Sequence, residues 1–123
     1  MKIVSIICQI LLGLIFVVFG SNAFLHFIPM QTPPGHAGEF LGAMFATGYL
    51  HAVAALQVLG GLLVLSGRYA ALGLLVLGPI IVNILFFHIF MAPAGLPLAI
   101  VVAVLALIIL AHHRQTFAGF FRA

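Results

Sequence analysis

The sequence predicts an all-α, polytopic integral membrane protein: an antiparallel four-helix transmembrane bundle with a short interfacial helix between spans 1 and 2. Three observations predict it. Of 123 residues, 66% are hydrophobic, and only four Lys or Arg and one acidic residue carry formal charge. Mean hydropathy is +1.43, far outside soluble globular composition. A spanning helix takes about 20 apolar residues, so a chain of this length supplies four spans with short connections. Finally, the apolar runs are separated by Pro- and Gly-rich or polar breaks that cannot continue a helix. The prediction is a single membrane domain over residues 1–123, with no room for a soluble catalytic module.

The first span covers about residues 3–27 and reads as apolar until Ser21, Asn22 and His26 near its far end. Lys2, the apolar run and Ser21-Asn22-Ala23 imitate a cleavable leader, but the run exceeds a leader's apolar region and is read as a span. Ile28-Pro29-Met30-Gln31-Thr32-Pro33-Pro34-Gly35 then reads as an extended loop. Over about residues 36–46, Phe40, Leu41, Met44 and Phe45 recur at helical spacing with Glu39 off that face, and Gly48 is available as a stop. This segment is too short to cross and fits a helix lying at the interface.

The second span is expected over about residues 49–65, interrupted by His51 and Gln57, and closes at Ser66-Gly67-Arg68-Tyr69. So tight a turn packs the third span, about residues 70–91, antiparallel beside it. The third span carries Pro79, which removes the bond to the Leu75 carbonyl and invites a kink. Ala92-Pro93-Ala94-Gly95 turns the chain into a fourth span over about residues 97–112, where Pro97 costs little in the first turn. The tail from Gln115 to Arg122 mixes aromatic, polar and basic residues and is read as lying in the headgroup layer.

Charge placement sets the expected orientation. Lys2, Arg68, Arg114 and Arg122 all fall on one side of a four-span protein, whereas the other side holds Glu39 and no Lys or Arg. The positive-inside rule therefore puts both termini in the cytoplasm. The same basic residues are scattered rather than clustered, so the net charge of +3 does not predict a nucleic-acid partner. The single cysteine, Cys8, permits no intrachain disulfide and reads as buried packing.

Polar side chains inside spans are costly and turn toward the protein interior or a cavity. At about 1.5 Å of rise per residue, Gln57 and Asn83 each lie roughly 12 Å below the outer end of their spans. His51 and His88 fall in the outermost turns, and Asn22 with His26, four residues apart, ends the first span on the same side. These six residues are expected to converge in the outer half of the bundle, with Phe86, Phe87 and Phe90 as apolar walls and the 36–46 helix over the opening. Two readings stand for the amides. They are interhelical glue, supported by Gly60 and Gly61 next to Gln57, or they line a ligand pocket.

Three histidines near one depth raise metal or haem ligation, but no span holds an HxxxH or ExxH pair and no carboxylate is at hand as a further ligand. No metal ligand is assigned. His36, His112 and His113 read as solvated. With Glu39 as the sole carboxylate, paired-carboxylate chemistry and an acidic proton relay are excluded, and no self-sufficient catalytic constellation is present.

Three stretches carry a family likeness: Leu11-Leu12-Gly13-Leu14-Ile15-Phe16-Val17-Val18-Phe19-Gly20-Ser21-Asn22 with Phe24-Leu25-His26-Phe27-Ile28-Pro29; Ala46-Thr47-Gly48-Tyr49-Leu50 with Gly60-Gly61-Leu62-Leu63-Val64-Leu65-Ser66-Gly67-Arg68; and Pro79-Ile80-Ile81-Val82-Asn83 with Phe87-His88 and Ala92-Pro93-Ala94-Gly95-Leu96-Pro97. In this order they resemble DoxX-like membrane proteins over nearly the whole chain. The resemblance implies a four-span bundle in a bacterial or archaeal plasma membrane and, as for some relatives, association with quinol oxidase or other membrane redox assemblies. Many relatives are expected to carry an acid in the second or fourth span, where this chain has Gln57 and an apolar run.

The leading expectation is an accessory subunit of a quinone-linked redox system, with Asn22, His26, His51, Gln57, Asn83, His88 and Phe87 around a quinone-like or other amphipathic ligand. The expected partners are the lipid bilayer, membrane oxidoreductase subunits and further copies of the chain. The rival expectations are a structural or assembly subunit without ligand and an oligomeric small-solute channel or transporter.

Overall fold

The computed structural model describes residues 2–25 and 34–119. Of these, 92% are helical and none is in a strand. Helix α1 spans Lys2–Leu25, α2 Gly35–Thr47, α3 Tyr49–Leu65, α4 Ala70–Phe90, α5 Leu96–His112 and α6 Arg114–Ala118, with a 3-10 turn at Pro93–Gly95 before α5. Alone, α1 and α4 are long and apolar enough to cross a membrane, as is the stretch Pro93–His112; α2 and α3 qualify only as a bent pair, at 86° to one another. The protein therefore has three to four apolar helices suited to an integral membrane protein.

Local chemistry sets the breaks. Gly48, at φ +81°, ends α2 and starts α3, a left-handed conformation that favours glycine. Beside it, the Thr47 hydroxyl donates to the Ala43 carbonyl at 2.8 Å. At the next turn the Ser66 hydroxyl donates to the Leu63 carbonyl at 2.6 Å and accepts the Tyr69 backbone N–H at 3.1 Å. Gly67, at φ +72°, completes that reversal. Helix α4 runs through Pro79 without interruption of its helical assignment, and Pro97 sits in the first turn of α5.

Helices α1, α3, α4 and α5 form a closed ring in which each packs on two neighbours, and α2 packs on α3. Residue numbers run in opposite senses along the contacts. Gly13 meets Gly61 while Gly20 meets Ala54 and Val58, and Gly60 meets Leu77 while Gly73 meets Val64. The shared core is built from Leu12, Phe16, Val64, Leu77, Ile81 and Ile109, with Phe117 of α6 packed at its edge. Large apolar side chains also cover the outside: Leu62, Phe90 and Leu107 are all more than half exposed. Such a surface suits lipid, and association inside it rests on close packing and interhelical hydrogen bonds rather than on hydrophobic contrast.

Candidate functional site

His26 lies outside the described residues, as do the expected loop from Ile28 to Pro33 and the end of the tail. The other sequence-predicted residues separate into two groups by what their polar atoms do.

The polar groups of α4 engage backbone carbonyls of the helix itself and of the turn that follows it. Asn83 is exposed, and its Nδ2 donates to the Pro79 carbonyl at 3.0 Å. That bond is an ordinary i to i−4 side-chain-to-backbone contact and does not reach the Leu75 carbonyl that Pro79 leaves without its helical donor. His88 Nδ1 lies 3.1 Å from the Ala92 carbonyl oxygen, and because that oxygen only accepts, Nδ1 carries the proton in this contact. The imidazole fills the space above Gly95: a Cβ there would lie 2.6 Å from Nδ1. Phe87 touches Phe40 of α2, with ring centroids 5.7 Å apart.

Helix α3 is different. His51 is half-buried, its ring 5.2 Å from that of Phe24 in α1 and 5.5 Å from that of Phe45 in α2. It joins three helices at the α2 end of the ring. Neither imidazole nitrogen forms a hydrogen bond among the described residues, and the same holds for the half-buried amide of Gln57. Gln57 packs on α1, where its Cβ would lie 3.2 Å from a Cβ on Gly20. Asn22 is buried, 7% exposed, and is hydrogen-bonded or otherwise engaged.

The expected pairing of the two amides at one depth does not form. With Gly60 opposite Leu77, opposite travel along the helices sets Gln57 against Ile80. Asn83 is three residues further toward the α2 end, roughly 5 Å away, and faces outward. Gln57, Asn83, His51 and His88 make no hydrogen bond to one another. An open groove of 390 Å³ lies instead on the outer side of the α1–α3 seam, lined by Ser21, Phe24, Leu25, Ala55 and Val58. Its wall residue Phe24 is the one that holds the His51 ring. Helix α2 reaches this region through Phe45 and reaches α4 through Phe40, so it lies across the α2 end of the ring.

Reading α1 as apolar up to Ser21 passes over a second polar site. Ser5 and Gln9 are buried at the opposite end, where Gln9 Nε2 donates to Ser5 Oγ at 3.1 Å. Gln9 Oε1 faces the α3–α4 turn, 3.7 Å from where a Cβ on Gly67 would sit. The available signal was their spacing of four, which puts both on one helix face. Of the histidines read as solvated, His36 is exposed beside Glu39 at 3.2 Å. His112 is exposed as well, but His113 is half-buried with Nδ1 3.0 Å from the Ile109 carbonyl oxygen. That bond holds the imidazole against the end of α5 rather than in solvent. Among the described residues, no three of His, Cys, Asp and Glu come together to hold a metal ion.

No protein-family model matches the chain, and no curated protein or solved structure matches it either.

Proposed function

We propose that this protein is a four-span antiparallel membrane bundle with both termini cytoplasmic, acting as an accessory subunit of a membrane redox system. Where α1, α2 and α3 meet, in the outer leaflet, it holds a quinone-like amphipathic molecule. The observation that carries this reading is His51: a half-buried imidazole wedged between Phe24 and Phe45, with neither nitrogen hydrogen-bonded among the described residues, beside a 390 Å³ groove. An imidazole N–H beside an apolar groove suits a carbonyl oxygen on an otherwise apolar ring. Asn22 of α1 and Gln57 of α3 are the supporting polar groups, Phe87 bears on the site through its contact with Phe40 of α2, and His26 joins them by its place in the sequence. The redox setting rests on the resemblance to DoxX-like proteins.

Detergent-purified protein with its native lipid, extracted and weighed by mass spectrometry, tests this directly, together with titration of a short-chain benzoquinone. His51→Phe keeps the aromatic packing and removes both nitrogens. The expected result is a bound carbonyl compound whose affinity falls about 2- to 10-fold in the variant, the range of one neutral hydrogen bond. Absence of any co-purifying ligand together with no benzoquinone binding overturns the reading.

A second reading, a structural subunit without ligand, is favoured by one observation: an exposed amide, Asn83, on an otherwise apolar outer face. Consistent recovery of partner subunits in mild detergent, with no ligand, decides for it.

A further inference from the structure

We propose that two copies of this protein associate through the outward face of α4, with their Asn83 amides hydrogen-bonded to each other. Asn83 lies seven residues from Phe90 and thirteen from Ala70, the ends of α4. At helical rise it is roughly 10 Å inside one end and 20 Å inside the other, well within a hydrocarbon layer of about 30 Å. One of its N–H groups is spent on the Pro79 carbonyl. The other N–H and Oδ1 have no partner among the described residues.

Acyl chains cannot satisfy an amide, so this group calls for a polar partner at its own depth. The exposed faces of the other helices near that depth do not supply one: Val18 and Phe19 of α1 and Val101 and Val104 of α5 are apolar. A second copy supplies it by symmetry, because a two-fold contact brings a residue to its own equivalent and a carboxamide both donates and accepts. The surrounding surface has the right pattern. Leu72, Pro79, Asn83, Phe86 and Phe90 follow one another at spacings of seven, four, three and four, the repeat of a helix–helix seam. Leu72, Phe86 and Phe90 are 48%, 54% and 76% exposed, so the seam is open in the single chain. One polar residue in an apolar seam fixes its register.

The test uses full-length protein in membranes, with the buried Cys8 replaced by Ala. Phe90→Cys places a thiol on the seam, and Leu107→Cys places one on the outward face of α5. Oxidation with copper phenanthroline is expected to give a dimer-sized product from Phe90→Cys and none from Leu107→Cys. Energy transfer between labelled copies in liposomes is expected to show dissociation about 3- to 30-fold easier for Asn83→Ala, the range of one interhelical hydrogen bond, with Asn83→Gln retaining part of the association. Helical content by circular dichroism checks that the surface substitution leaves the fold intact. Equal cross-linking at both positions, cross-linking of Phe90→Cys only to a different protein, or unchanged association of Asn83→Ala each overturns the proposal.

Discussion

Gly60 and Gly61, neighbours in α3, serve different helices: a Cβ on Gly60 would lie 2.6 Å from Leu77 Cγ in α4, and one on Gly61 would lie 2.9 Å from the Gly13 carbonyl oxygen in α1. The pair lets one helix approach two others at once. Leu77 is fully buried and has nowhere to go, but it is a side chain; the Gly13 oxygen is backbone and yields only if the helices part.

Gly61→Ala is therefore expected to destabilise more than Gly60→Ala, each within about 1–3 kcal/mol, the usual cost of overpacking. Gly42→Ala, where a Cβ meets nothing within 4 Å, is the control and is expected to be neutral or slightly stabilising. Thermal unfolding in detergent ranks the three; equal midpoints for Gly61→Ala and Gly42→Ala contradict the packing account.

His88 bridges the end of α4 to the turn before α5 through its bond to the Ala92 carbonyl. His88→Ala is expected to cost about 0.5–1.5 kcal/mol and to speed proteolysis at the 92–95 turn, with His88→Asn, which keeps a donor, recovering part. If ligand binding were lost while turn protection stayed intact, His88 would be a ligand contact rather than a latch.

Ser5 and Gln9 form a buried pair in a segment with few alternatives. Ser5→Ala leaves the Gln9 amide without that partner and is expected to cost about 1–3 kcal/mol. The double change Ser5→Ala with Gln9→Leu is expected to recover much of the loss, because an apolar pair leaves nothing unsatisfied. Additive losses in a double-mutant cycle contradict this.

Gly48 makes the corner between α2 and α3, and Phe40 ties α2 to Phe87. Gly48→Ala, forced into a left-handed conformation, is expected to cost about 1–2 kcal/mol. Opening of α2 should then speed amide exchange over residues 35–47 about 5- to 30-fold, with α1 unaffected. Unchanged exchange there sinks the idea that this corner sets the position of α2.

Much of the helix layout was legible. Helix α3 occupies Tyr49–Leu65, the range read for the second span, and α2 at Gly35–Thr47 matches the short amphipathic segment. Proline, glycine and serine act locally, through missing donors, left-handed backbone and side-chain caps, so their positions reveal where helices end. The candidate site was legible only in part. Counting residues gives depth only to within about a turn: His51 sits at the α2 end near α1, but Gln57 and Asn83, read at one level, are offset by three residues. Facing does not follow. In a chain apolar on nearly every side, no hydrophobic stripe marks the inner face of a helix, and Asn83, expected inward from its polarity, lies outward.

The sequence by itself determined that the chain is helical and apolar enough for a membrane, and where its breaks fall, because composition and turn chemistry are carried by single residues. Only the tertiary structure decided which polar atoms are already spent. Asn83 bonds its own helix, His88 the turn after it and Gln9 Ser5, whereas His51 and Gln57 form no side-chain hydrogen bond among the described residues. Which of these groups face outward and which face a neighbouring helix depends on helix rotation and register, which the Gly13–Gly61 and Gly60–Leu77 contacts set through close packing between segments far apart in the chain.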